Sequence, residues 1–131
     1  NVAGHRLSTG AMEEVLDEHP AVSEAAVIGV HDELKGQLPV GLLVLESDTS
    51  APANEVVREV VAMMRERIGP VASFKQAVVV ERLPKTRSGK ILRKTMRQLA
   101  DGEAVTVPPT IEAPEVLGEV RAALADLGYP R

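Results

Sequence analysis

Apolar residues along this chain follow two rhythms, a spacing of three to four residues and short continuous runs. After Gly10, the stretch AMEEVLDEH places Met12, Val15, Leu16 and His19 at helical spacing. Glu13 and Glu14 suit the positive N-terminal end of that helix, and Pro20 stops it. Residues 22–30, VSEAAVIGV, form a run rich in Val and Ile that reads as a buried strand. HDELKGQ is a polar turn, and PVGLLVLE, residues 39–46, is a second strand with Pro39 near its start. After the loop SDTSAPAN, Val57, Val60, Val61, Met64 and Ile68 mark one face of a long helix ended by Gly69-Pro70. QAVVVERL, residues 76–83, is a third strand. Leu92, Met96, Leu99 and Ala100 predict another helix, ending near Asp101-Gly102. A proline-containing connector leads to a last helix through Val116, Leu117, Val120, Leu124 and Leu127, with Pro114 at its first turn. The order α-β-β-α-β-turn-α-α predicts an α+β fold, a small, mainly antiparallel three-stranded sheet flanked by helices.

Composition narrows this picture. A chain of 131 residues fits one domain, and 44% apolar with 26% charged residues excludes a disordered or fibrous chain. Aromatics are limited to Phe74 and Tyr129, so the core must be built from Val, Leu, Ile, Ala and Met. So few rings, with a net charge of −4, argue against a surface for nucleic acid. There is no cysteine, hence no disulfide, thiolate metal site or Cys nucleophile. No apolar run reaches membrane-spanning length, and we expect a cytoplasmic protein without a membrane partner. The opening NVAGHRL has no initiator Met and reads as the middle of a longer chain.

Charge is unevenly distributed. Residues 82–97 hold seven of the fifteen Lys and Arg, namely Arg82, Lys85, Arg87, Lys90, Arg93, Lys94 and Arg97, with no Asp or Glu between them. One basic edge on an acidic domain suits a localised anion better than a long polyanion. At its centre, Ser88-Gly89-Lys90 resembles part of a phosphate-binding P-loop, but Pro84 stands where that loop needs Gly and Ile91 where it needs Ser or Thr. Gly89 permits a sharp turn, and Ser88 is placed to cap a following helix. Lys90 would then fall in the first helical turn, where the dipole disfavours a cation, so its value lies in reach toward a phosphate or carboxylate. The residues alone also admit a solvated helix N-terminus or a weak nucleic-acid edge. Gly4, His5 and Arg6 form a second cluster of glycine and cation. His5, His19 and His31 are scattered, and no spacing suggests a metal site.

Taken in order, NVAGHRL, HPAVSEAAVIG, KGQLPV, RERIGPVASFK and LPKTRSGKILR resemble the C-terminal domain of AMP-forming short-chain acyl-CoA synthetases, in the adenylate-forming superfamily. The resemblance runs from Asn1 to about Pro114, and NVAGHR, GPVASFK and TIEAP are nearer to propionyl- than to acetyl-CoA synthetases. It implies a ligase that joins a short-chain carboxylate to AMP from ATP and then passes the acyl group to CoA. The small domain rotates between the two steps. By the same resemblance Lys90 is the adenylation lysine, Arg6 contacts ATP phosphates, Gly4 lies beside the pantetheine, and Arg65 is near the CoA nucleotide phosphates. Ser88 and Gly89 shape a mobile loop around Lys90, while Lys85, Arg87 and Arg93 receive no separate roles.

The resemblance also makes Lys90 a reversible acetylation site, with a lysine acetyltransferase and deacetylase as partners; acetylation would remove its charge. ATP, with Mg, would be bound mainly by a large N-terminal domain that this chain lacks together with the hinge. The chain is then one catalytic-lid domain, residues 1–112 a core and 113–131 a helical tail, and inactive by itself. The competing expectation is a non-catalytic domain whose basic turn meets a phosphate-bearing or protein partner, including an acetyltransferase for which it is a docking substrate.

Overall fold

The computed structural model describes residues 8–131. Helix α1, Thr9–Asp17, begins at Ser8, whose hydroxyl accepts from Ala11 N at 3.2 Å and so satisfies one free N–H of the first turn. Strands β1, Val22–Asp32, and β2, Gly36–Leu45, form an antiparallel hairpin. Its turn is tighter than the polar stretch suggested, because both strands extend into it. Asp32 closes it by accepting from Leu34 N and Lys35 N, and Gly36 takes a positive φ of 83°. Helix α2, Ala53–Arg67, follows, then a short 3-10 turn, Pro70–Ala72.

Strand β3, Gln76–Val79, is half the expected length and pairs parallel to β2, in the order β1-β2-β3. The sheet is therefore mixed, with a long antiparallel ladder and a short parallel one. Pro39 lies inside β2 but just before Val40, where pairing with β3 begins, so it interrupts no bond to β3. Helices α3, Arg93–Asp101, and α4, Val116–Asp126, complete the described chain.

Alternation along the strands builds two cores, one on each face of the sheet. Ala25, Val27 and Leu43 point toward α1 and α2, where they meet Met12, Leu16, Val56, Val60 and Met64. Ala26, Ile28, Val40 and Leu42 point the other way, toward Met96, Leu99, Val120 and Leu124 of α3 and α4. Covering on both faces explains why β1 and β2 read as continuous apolar runs and not as an alternating pattern. The tail takes part in the second core, since Val116, Val120, Leu124 and Tyr129 are all buried there.

Candidate functional site

The basic segment does not lead straight into a helix. Lys90 precedes α3 by three residues, Leu92 holds the cap position, and Ser88 caps nothing. The expectation of a Ser88 cap with Lys90 in the first helical turn is thus corrected: short-range hydrogen bonding wins over helix initiation. Thr86 closes the turn upon itself. Its N–H donates to Lys90 O at 2.9 Å, its carbonyl accepts from Gly89 N at 2.9 Å, and its hydroxyl oxygen accepts from Lys90 N at 3.1 Å. The Thr86 and Ser88 hydroxyls lie 2.9 Å apart. Gly89 adopts φ 92°, a conformation that a side chain would strain.

The connector braces the turn from its other side. Thr86 bridges to Ile111, Arg87 N donates to Thr110 O, and Glu112 N donates to Lys85 O. Leu92 N donates back to Pro84 O at 3.0 Å. The segment around Lys90 is a small hydrogen-bonded hairpin.

The seven cations divide into two groups. Arg82 pairs with Glu119 at 2.9 Å, Lys85 with Glu24, Arg93 with Glu13 at 2.6 Å, and Arg97 with Asp101 at 3.4 Å. Among the described residues Arg87, Lys90 and Lys94 have no carboxylate partner, and all three are exposed. Hydrogen bonding to Glu13 raises the Arg93 pKa above its ordinary value, and Glu119 does the same for Arg82. Lys90 borders a groove of about 380 Å³, shared with Ile91, Leu92, Thr95, Thr106 and Pro108.

Arg65 sits elsewhere. It projects from α2 into a cavity of about 340 Å³ that Lys35, Lys75 and Ser73 also line. Lys35 Nζ donates to Ser73 Oγ at 2.7 Å. Ser73 is buried and holds φ 55°, the only positive φ outside glycine among the described residues. Three cations thus surround one concavity: Arg65 on α2, which packs on the sheet face opposite α3, Lys35 in the β1–β2 turn and Lys75 just before β3. Lys35 and Lys75 were not singled out in the sequence, because they join Arg65 only through folding. Thr86 left a local signal, a hydroxyl residue at the head of the turn, that the comparison with a P-loop obscured.

Gly4 and Arg6, like His5, lie outside the described residues. Among the described residues no group of three His, Asp or Glu could hold a metal ion. No helix among them is long and apolar enough to cross a membrane.

Comparison with known proteins agrees with this geometry. The model of the AMP-binding enzyme C-terminal domain matches residues 11–90. The mitochondrial acyl-CoA synthetase short-chain family member B of Dictyostelium discoideum is 58% identical over 92% of this chain and 17% of its own length. Acetyl-coenzyme A synthetase of Pyrobaculum aerophilum is 40% identical over 96% of this chain and 19% of its own. The solved structure of acetoacetyl-CoA synthetase from Streptomyces lividans has a TM-score of 0.76 over 96% of this chain and 19% of its own, at 17% identity, which speaks for the fold alone. The chain therefore spans under a fifth of the length of these curated relatives. With more than half of its residues inside the matched model, the chain belongs to the AMP-binding enzyme C-terminal domain family.

Proposed function

We propose that this chain is the catalytic lid of an AMP-forming acyl-CoA synthetase for short-chain carboxylates, propionate before acetate. The observation that carries the reading is Lys90. It is exposed, has no carboxylate partner among the described residues, and stands on a turn braced on both sides. A compact ammonium so presented suits two oxyanions that must approach each other.

In the first half-reaction a carboxylate oxygen of the substrate bonds to the α-phosphorus of ATP, and the bond from that phosphorus to the bridging oxygen of pyrophosphate breaks. Lys90 would lie between the carboxylate and the α-phosphate oxygens, where negative charge crowds in the transition state. Arg6 would steady the ATP phosphates. In the second half-reaction the CoA sulfur bonds to the acyl carbon and AMP leaves, the thiol proton being lost to solvent or to the departing group. Gly4 would border the pantetheine, and Arg65, with Lys35 and Lys75 around the same cavity, would take the phosphates of the CoA nucleotide. Lys90 and Arg65 are carried by elements on opposite faces of the sheet, which supports a domain that turns a different face to each step. Because hydrogen bonds brace the Lys90 turn from both sides, delivery falls to rotation of the whole domain.

Acetylation of Lys90 by a protein acetyltransferase would erase the charge and halt the first step only. The N-terminal domain of the parent protein would supply the acyl pocket and most of the ATP site, and we place the whole enzyme in the cytoplasm.

The test is ATP–pyrophosphate exchange by the full-length parent with propionate and with acetate, comparing wild type and Lys90→Ala. Both proteins also receive preformed propionyl-adenylate and CoA. The variant should lose exchange by about 10²-fold or more and retain thioester formation. Full exchange in the variant would refute the role of Lys90, and no exchange by the wild type with either acid would refute the reading of the chain.

A further inference from the structure

Resting on that reading of Lys90, we infer that Glu13 and Glu24 are positioning residues for adenylation, acting on Lys90 through Arg93 and Lys85. Neither acid belongs to the basic segment, and neither is near it in sequence. Both meet it in the fold, one at each end of the turn.

Glu13 does so with both oxygens. Oε2 accepts from Arg93 Nε at 2.8 Å and from Val27 N at 2.8 Å, while Oε1 accepts from Arg93 Nη2 at 2.6 Å. The Glu13 side chain is only 13% exposed, so this two-pronged pair is shielded from water on the acid side. One carboxylate thereby ties the start of α3 to α1 and to the middle of β1, three residues beyond Lys90. At the other end, Lys85 Nζ donates to Glu24 near the start of β1. Lys85 and Ile91 face each other as a bridge, so fixing Lys85 and Arg93 fixes the base of the hairpin whose turn bears Lys90.

An exposed, flexible lysine gains from such a base. Its stem is free, so the placement of its ammonium depends on the backbone from which it starts, and an error of about 1 Å in a reacting group can lower a rate by about 10²-fold. Glu13 and Glu24 touch no substrate in this scheme. They hold the backbone that does the presenting, and only in the half-reaction that uses Lys90.

The experiment uses the full-length parent with Glu13→Gln, Glu24→Gln and Arg93→Lys. Gln keeps the size of Glu and an oxygen for Val27 N, so the first variant removes the charge with little change of shape. We expect Glu13→Gln to lower kcat of ATP–pyrophosphate exchange about tenfold, Glu24→Gln to lower it less, and Arg93→Lys to keep part of it. KM for ATP and the rate of thioester formation from preformed propionyl-adenylate should hold at wild-type values. Wild-type exchange in both Gln variants would overturn the inference, and so would a proportional fall of both half-reactions, which marks a general loss of structure. If Lys90→Ala abolishes exchange while the Gln variants do not alter it, the positioning inference alone fails. If Lys90→Ala keeps exchange, the reading beneath it fails as well.

Discussion

Gly41→Ala is the sharpest test of how the sheet packs beneath α2. Gly41 lies in the middle of β2, paired with Val27 on one side and Ala77 on the other. Its backbone is ordinary, so the obstacle is steric. A Cβ built there would stand 2.8 Å from Phe74 Cζ and 3.3 Å from Ala77 Cβ, whereas carbon contacts settle near about 3.5–4.0 Å. The Phe74 ring is buried and follows directly on left-handed Ser73, so it has little room to swing aside. Overpacking of this kind costs about 1–3 kcal/mol. With a urea m-value of about 1–3 kcal/mol/M, the unfolding midpoint should fall by about 1 M. Phe74→Leu deletes the offending atom and by itself costs about 1–2 kcal/mol of packing. The double variant should then lose at least about 0.5 kcal/mol less than the sum of the two singles. Additive losses, or an unchanged midpoint for Gly41→Ala, would refute the contact between strand and ring.

Four other outcomes follow from named groups. Burial pushes the Tyr129 phenol above its ordinary 10.0, with the Arg131 guanidinium 4.5 Å from the ring opposing. The folded chain then keeps a proton that the unfolded chain has lost, so stability should decline as pH rises past 10.0. Tyr129 is the only tyrosine and there is no Trp, so phenolate absorbance read against unfolding reports this group alone. Gly118→Ala, inside α4 with open space around its Cβ, should raise the melting temperature through a gain of about 0.5–1 kcal/mol. Gly89→Ala also meets open space, but at φ 92° it should lower the melting temperature by straining the turn, at about 1–2 kcal/mol. His19 accepts from Ala21 N at 3.0 Å through Nδ1 and meets Glu59 at 2.6 Å through Nε2, so His19→Ala orphans a buried N–H. Chemical denaturation should register a loss of about 1–3 kcal/mol.

The element order was legible because burial is periodic. Met12, Val15 and Leu16 on α1, and Val60 and Met64 on α2, follow the spacing that a helix over a sheet imposes. The end of β3 was not legible. Val80 still donates its N–H to Leu43 O of β2, but Leu83, as apolar as the strand before it, fills the second core from irregular backbone. Periodicity reports burial, and burial does not require pairing. The start of α3 was misread for a related reason. Ser88 looks like a cap when only its own neighbourhood is weighed, but the backbone partners of the turn come from Thr86 and from Thr110–Glu112, and the latter lie beyond the next helix.

The basic run shows where sequence reasoning about charge reaches its end. Seven cations without an intervening acid look alike along the chain, yet four are occupied and three are free of carboxylates among the described residues. The acids that make the difference beside Lys90 come from afar: Glu24 is 61 residues from Lys85 and Glu13 is 80 residues from Arg93. Once Lys85 and Arg93 are drawn off to Glu24 and Glu13, they leave the anion site and join the scaffold. Lys90 stands between them without a carboxylate of its own, so an incoming carboxylate or phosphate meets little competition for it from within the described fold. Neutralising the flanks also lowers the like-charge repulsion that a tight basic turn would otherwise suffer. The same acids therefore hold the turn in shape and leave Arg87 and Lys90 available at it.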